Sequence, residues 1–185
     1  TVVFYAEEHQ IAKDGCVHEG FVASRQGLPM IPALAETIAI TKYLLMIEAT
    51  GVRAHFGLLS CGASVALIKT AKEKGLPVTC DVAMHQLHLT DHLIDGFNTL
   101  AHVRPPLRSE QDKHMLRQGL KDGVIDAICT HHEPLSSSAK MAPFAETQSG
   151  FTAFDSYVPF GVQLIQDGLF TPLEWVEKVT LAPAK

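Results

Sequence analysis

The stretch from Arg53 to Met84, RAHFGLLSCGASVALIKTAKEKGLPVTCDVAM, reads as a strand, a helix and a second strand. Arg53 to Leu59 is a short apolar run, and Ser60 stands where a hydroxyl can cap the helix predicted from about Gly62 to Lys74. Gly75 suits the left-handed residue that ends a helix, and Pro77 is tolerable as the first residue of a strand running to Met84. Strands joined by a helical crossover pair in parallel, because a tight turn can only reverse the chain.

Working outward, the same alternation continues. Val2 to Ala6 is a short strand, Pro29 and Pro32 punctuate a loop, and Ala33 to Ala49 carries Leu34, Ile38 and Leu45 at helical spacing, with Pro32 suited to the first turn and Gly51 to the C-terminal cap. Downstream, Ser109-Glu110-Gln111-Asp112 opens a helix that Gly123 stops, and Val124 to Thr130 is the fourth strand. An irregular stretch from His131 to Thr152 precedes a helix near Val158 to Asp167 and another from Pro172 to Leu181, the latter opened by Thr171-Pro172-Leu173-Glu174. Short, nearly continuous apolar strands alternating with helices imply an α/β fold with a parallel sheet. A doubly wound sheet and a (β/α) barrel both satisfy it. No GxGxxG or GxxxxGK[ST] follows a strand, so the phosphate-cradling folds lack their usual support, and four units are half of what a closed barrel needs.

A length of 185 residues predicts one domain, and 46% apolar with 19% charged residues excludes a disordered or fibrous chain. Fifteen basic against twenty acidic residues give a net charge of -5 with no basic cluster, which argues against nucleic acid as a partner. Lys42 and Glu48 interrupt the most apolar region, so nothing approaches the roughly 18 residues of a membrane span and a soluble protein is expected. Cys16, Cys61, Cys80 and Cys129 form no CxxC pair, which fits a reducing, cytoplasmic location. The opening Thr1-Val2-Val3-Phe4-Tyr5, without Met or leader, reads as a segment that begins inside a fold.

In parallel folds the chemistry gathers at the C-terminal strand ends. There the sequence places Tyr5-Ala6-Glu7-Glu8, Leu58-Leu59-Ser60-Cys61, His85-Gln86-Leu87-His88 and Cys129-Thr130-His131-His132-Glu133. His85, His88, His131 and His132 have the chemistry of a zinc site, with Glu133 or Glu7 as proton acceptor, and equally that of hydrogen-bonded polar residues at strand ends. Ser60 and Cys61 are candidate nucleophiles, although Ser60 is explained as a helix cap. Ser136-Ser137-Ser138 with Lys140 suggests a phosphate loop or a Ser/Lys pair on one reading and a flexible polar connection on the other. Arg104 and Arg108 flank Pro105-Pro106-Leu107, either as a carboxylate clamp or as an ordered surface turn.

These strand ends, together with His18-Glu19-Gly20, Gly27-Leu28-Pro29 to Ile31-Pro32, Ala35-Glu36-Thr37, Asp81-Val82 to His85, Leu89-Thr90-Asp91, Pro105-Pro106-Leu107-Arg108-Ser109 and Asp122-Gly123-Val124-Ile125-Asp126-Ala127-Ile128, resemble the dihydroorotases of the amidohydrolase superfamily. The resemblance implies a (β/α)8 TIM-barrel metal hydrolase, with this chain covering about strands five to eight. Residues 1–185 would then be the C-terminal half of the barrel, without its N-terminal half and β-sandwich. The family places metal-binding histidines after strands five and six and an aspartate after strand eight, where this chain has Tyr5, Leu58 and His131. A leucine offers no lone pair, and a tyrosine keeps its phenolic proton at neutral pH. The family's substrate-holding Asn before the diproline is Arg104 here.

Arg53-Ala54-His55-Phe56 and the run from His131 to Phe144 look like the catalytically silent homologues that partner aspartate transcarbamoylase. That implies a non-catalytic scaffold in pyrimidine biosynthesis, with no metal or cofactor, and with His85 and Arg104 as what is left of a substrate pocket. Its partners would be aspartate transcarbamoylase and either the rest of its own barrel or a second copy. The alternative is an active dihydroorotase, interconverting dihydroorotate and N-carbamoyl-aspartate with zinc on His85, His131 and His132. Two further expectations follow. Arg104 and His131 should make the pocket cationic. The inward residues Val3, Ala54, Val82 and Ile128 of an open half barrel should be exposed, so that the segment is ordered only by association.

Overall fold

The computed structural model describes residues 1–184. In chain order the elements are β1 (Val2–Tyr5), α1 (His9–Ala12), β2 (Val17–His18), α2 (Phe21–Gln26), β3 (Met30–Ile31), α3 (Ala33–Thr50), β4 (Ala54–Gly57) and α4 (Gly62–Glu73). They continue with β5 (Val78–Ala83), α5 (Glu110–Lys121), β6 (Ala127–Cys129), α6 (Phe154–Gln166) and α7 (Pro172–Val179), with short 3-10 turns in the loops. The main sheet is parallel throughout in the order β1-β4-β5-β6, so all four C-terminal ends open on one side.

The predicted strands and long helices are present. Gly51, at φ 67°, closes α3 with its amide on the Ile47 carbonyl at 2.8 Å. Ser109 and Asp112 cap α5 reciprocally, as Thr171 and Glu174 cap α7. Pro32 stands at the cap position of α3, one residue before the first turn. The segment between β1 and α3, where the sequence reading placed only a loop punctuated by Pro29 and Pro32, holds α1, α2 and a small parallel ladder pairing Val17 with Met30 and His18 with Ile31. Elements of two to six residues are too short to show a period. Val17, Val22 and Ala23 pack there against Ile94, Val103, Leu107 and Phe144 in a second small core.

Two helix starts differ from expectation. Ser60 does not cap α4: Cys61 holds the cap position, and its side chain makes no capping bond to the helix backbone. The leading amides bind carboxylates from other helices, Ser60 N and Cys61 N reaching Glu36 Oε1 at 3.1 and 3.4 Å and Gly62 N reaching Asp112 Oδ1 at 2.9 Å. A charged acceptor at a helix N-terminus is stronger than a hydroxyl, which frees the Ser60 side chain for other work. Similarly α6 starts at Phe154, before Val158, because His132 Nδ1 accepts from Ala153 N at 3.0 Å and Phe154 N at 3.3 Å.

The core lies between the sheet and α3, α4 and α5. Ala54, Phe56, Cys80, Val82 and Ile128 are buried there with Ile40, Ile47, Ile68, Leu116 and Leu120. The expectation that Ala54, Val82 and Ile128 face inward and stand exposed is therefore wrong. Their exposures are 2%, 0% and 3%, because the two-residue period of a strand puts them on the helix side. Val3 alone of that set is exposed, at 54%. The opposite face carries His55, Thr79, Asp81 and Cys129, polar residues bonded to one another.

Candidate functional site

A cleft of about 560 Å³ opens at the strand ends, walled by Tyr5 and Glu7 after β1, Gly57 and Leu58 after β4, Arg104 from the β5 to α5 connection, and His131 and Glu133 after β6. Parallel strands bring these positions together although they are far apart in sequence. Tyr5 pairs with Gly57 in register, and its ring lies so close that a Cβ at Gly57 would stand 2.9 Å from Cε1. Leu58 and His131 both adopt left-handed backbone, at φ 60° and 46°. Such conformations cost a non-glycine residue about 1 kcal/mol or more, so something must hold them.

At Leu58 the holder is Asp81, a residue quoted for the family resemblance but given no role at the site. Its Oδ1 accepts from Leu58 N at 2.9 Å and from the Cys129 thiol at 3.3 Å, and its Oδ2 meets His55 Nε2 at 2.8 Å. His55 Nδ1 in turn meets the Thr79 hydroxyl at 2.8 Å. Burial pushes the Asp81 carboxyl up, but the hydrogen bonds from His55, Leu58 and Cys129 outweigh it and hold the group below its ordinary range. The Cys129 thiol is pushed up by burial and by Asp81, so it is no nucleophile. The polar alternation of His55, Thr79 and Asp81 was the signal available in the sequence, hidden by short strands that look apolar overall.

Of the four histidines grouped from the sequence, two meet. His85, 1% exposed, stacks on His131 at 5.5 Å and meets the Phe151 ring, tilted by 43°, at 4.9 Å between ring centres. Neither His85 nitrogen, nor Nδ1 of His131, has a hydrogen-bond partner. Burial, with His131 adding to it, lowers the His85 pKa to about 3. His88 turns away onto Phe160, and burial followed by Arg117 lowers it to about 4. His132 caps α6 and stacks on Phe154 at 4.0 Å, which removes it from the proposed zinc set His85, His131 and His132. Among the described residues no three His, Cys, Asp or Glu side chains are gathered as a metal site. Leu58, in the wall of the cleft, has no donor atom to offer a metal either.

The two arginines beside the diproline have separate fates. Arg104 forms a bidentate pair with Glu7, its Nε at 3.0 and 3.1 Å and its Nη2 at 2.5 Å from the carboxylate oxygens. This offsets the charge that was expected to make the pocket cationic. Arg108 is 3% exposed and donates to Ser60 Oγ at 3.0 Å, Ile31 O at 2.8 Å and His18 Nδ1 at 3.2 Å. The segment is thus neither a two-arginine clamp nor a surface turn, and Gln86 fastens it through the carbonyls of Pro105 and Pro106 at 3.1 and 3.2 Å. Ser60 is hydrogen-bonded between Glu36 and Arg108, and the neighbouring Cys61 thiol is pushed up to about 12 by burial and Glu36, so neither serves as nucleophile.

The segment after β6 is no flexible connection. Lys140 Nζ donates to three backbone carbonyls, His102 at 2.9 Å, Gln148 at 2.8 Å and Gly150 at 3.0 Å, which also takes it away from any Ser/Lys pair. His102, lowered to about 4 by burial and by Lys140, binds Thr147 through Nδ1 at 2.7 Å.

Parallel βα units with a pocket at their C-terminal strand ends are the class of fold seen here, and comparison with solved structures makes it part of a TIM-barrel amidohydrolase fold. Its shape is similar to a D-hydantoinase, with TM-score 0.85 and 21% identity over 100% of this chain and 42% of that one. It is also similar to the dihydroorotase of Saccharomyces cerevisiae in complex with 5-fluoroorotic acid, at 0.75 and 13%, over 98% and 48%. In sequence it is 43% identical to a dihydroorotase-like protein of Pseudomonas aeruginosa over 185 residues, covering 100% of this chain and 44% of the relative. It is 39% identical to a dihydroorotase of Desulfotalea psychrophila over 184 residues, covering 100% and 44%. The chain belongs to the dihydroorotase family. No protein-family model matches it, and it spans less than half the length of these relatives. No helix among the described residues is long and apolar enough to cross a membrane.

Proposed function

We propose that the chain supplies strands five to eight, the C-terminal half, of a dihydroorotase-like barrel that does not hydrolyse. In this reading it acts in cytoplasmic pyrimidine biosynthesis as a scaffold for aspartate transcarbamoylase, with no metal or cofactor of its own. The observation that carries the reading is Leu58: its amide is held by Asp81 and its backbone is left-handed at the pocket wall, but it offers a hydrocarbon where a metal would need a lone pair. Tyr5 and His131 complete a set unlike a dihydroorotase's metal ligands. The partners of the barrel half are the rest of its own barrel or a second copy, which would cover the exposed Val2, Val3, Phe154 and Val158.

The second reading, an active zinc-dependent dihydroorotase, is favoured by the unpartnered nitrogens of His85 and His131, which stack on each other. Metal analysis of the full-length protein with an assay in both directions of dihydroorotate ring closure separates the two. The scaffold reading expects neither bound zinc nor turnover, and co-sedimentation with aspartate transcarbamoylase. Stoichiometric zinc with turnover, or no complex at micromolar concentration, overturns it.

A further inference from the structure

We propose that this protein pairs with a second copy of itself through the outer face of α3, the two α3 helices packing antiparallel about a two-fold axis that passes between Ile38 and Thr41. The inference does not rest on the scaffold reading, and it uses none of the residues that line the cleft.

The helix α3 is apolar on both sides. Ala35, Ala39, Ile40 and Ile47 are buried against the rest of the fold, yet Leu34, Ile38 and Leu45 are 55%, 38% and 63% exposed. At about 100° per residue these three stand roughly half a turn from the buried side, so they point directly away from the sheet. A helix that met only water would be polar there. Completing the barrel does not cover this stripe, because barrel helices neighbour one another side by side. The flank open to such a neighbour is seen on α6, where Phe154, Val158 and Val162 are exposed roughly a quarter turn from the buried Gly161 and Leu164.

The stripe is complementary to itself. Leu34, Ile38, Thr41 and Leu45 follow one another at steps of four, three and four residues, which is the seam of a two-stranded coiled coil. Antiparallel pairing sets Leu34 against Leu45 of the second copy and Ile38 against Thr41 of the second copy, as a two-fold interface requires. The Thr41 hydroxyl already donates to Thr37 O at 2.8 Å, which leaves its methyl group to the seam. The charges agree. Lys42 stands on one rim of the stripe and binds Glu8 at 2.7 Å, and the Glu8 amide is fixed to Ala35 O at 2.8 Å. The two-fold axis carries Lys42 alongside position 35 of the second copy, where that copy's Glu8 is fixed, so the four charges alternate in sign along the rim. Both side chains, at 44% and 25% exposure, are open to a further partner. Beside the stripe a groove of about 180 Å³ between α3 and α4, lined by Leu44, Leu45, Leu67, Ala71 and Leu76, extends the apolar surface.

The test is sedimentation equilibrium of the full-length protein, in wild type, Ile38→Glu, Leu45→Glu, Lys42→Glu and Glu8→Lys. The wild type should dimerise at micromolar concentration, and Ile38→Glu or Leu45→Glu, each burying a carboxylate in the seam, should weaken the dimer about a hundredfold. Lys42→Glu lines the rim with four carboxylates and Glu8→Lys lines it with four ammonium groups, so either alone should weaken the dimer about tenfold. An equimolar mixture of these two variants should regain about the wild-type affinity as a heterodimer, since opposite charges then meet only between copies. Thermal melts check that each variant folds, and the two seam substitutions stand in for each other if one does not. A wild type that stays monomeric, a dimer indifferent to the seam substitutions, or a mixture no tighter than its two components overturns the proposal.

Discussion

Lowering the pH from about 7.5 to about 5.5 should destabilise this protein by about 3 kcal/mol, and His85 should account for the largest share. His85 is buried with both nitrogens unbonded, and its pKa lies near 3, against an ordinary value of 6.5 that the unfolded chain regains. A histidine depressed in this way is neutral in the folded state throughout the window. The unfolded state therefore binds more protons once the pH falls below about 6.5, and stability is full above that value and lost on acidification toward pH 3. At about pH 5.5 the difference is close to one pKa unit, or about 1.4 kcal/mol for His85. His88 and His102, both near 4, act in the same direction. Counting them at about half weight for their closer access to water adds about 1.4 kcal/mol together. Urea titrations read this as a midpoint falling by roughly 1 to 1.5 M for a slope of about 2 kcal/mol per M. His85→Phe keeps the ring contacts with His131 and Phe151 and should flatten the pH dependence by about half while leaving the direction unchanged. An unchanged midpoint across the window, or a His85→Phe protein with the wild-type slope, would refute the assignment of a buried neutral imidazole.

Leu58→His alone should bind no zinc and show no hydrolysis, because one added imidazole beside the cleft residues Tyr5 and His131 does not complete a ligand set; metal stoichiometry and a dihydroorotate assay check this. Asp81→Ala should cost about 2–3 kcal/mol by leaving His55 Nε2 and the Leu58 amide unpaired. In a Leu58→Gly background that cost should shrink by about 1 kcal/mol, since glycine takes the left-handed conformation unaided, and strict additivity in urea melts would contradict the role given to Asp81. Lys140→Met removes a donor from three carbonyls, of which His102 O keeps the Gly150 amide, and should speed limited proteolysis between residues 131 and 152, with a loss of about 2 kcal/mol. A cleavage pattern identical to wild type would count against the staple.

What could be read from the sequence alone was set by forces that act within a few residues. The helix caps at Ser109 and Thr171 and the closing glycine at position 51 are local bonds, so their motifs suffice to place them. Alternation of short apolar strands with helices defined the parallel sheet and thus the side on which the pocket opens, and the family motifs identified the dihydroorotase family and its barrel. Partner choice among polar groups was different. Ser60 was legible as a cap but binds Glu36, 24 residues away; His132 was legible as a ligand but caps a helix 21 residues on; Arg104 was legible as a free cation but meets Glu7 across 97 residues. Each of these groups has several chemically adequate partners in the sequence, and only packing of the helices against the sheet brings one of them within bonding distance. The same packing decided which face of each strand is dry, turning Ala54 and Val82 toward the helices and leaving His55 and Asp81 to bond each other on the other side.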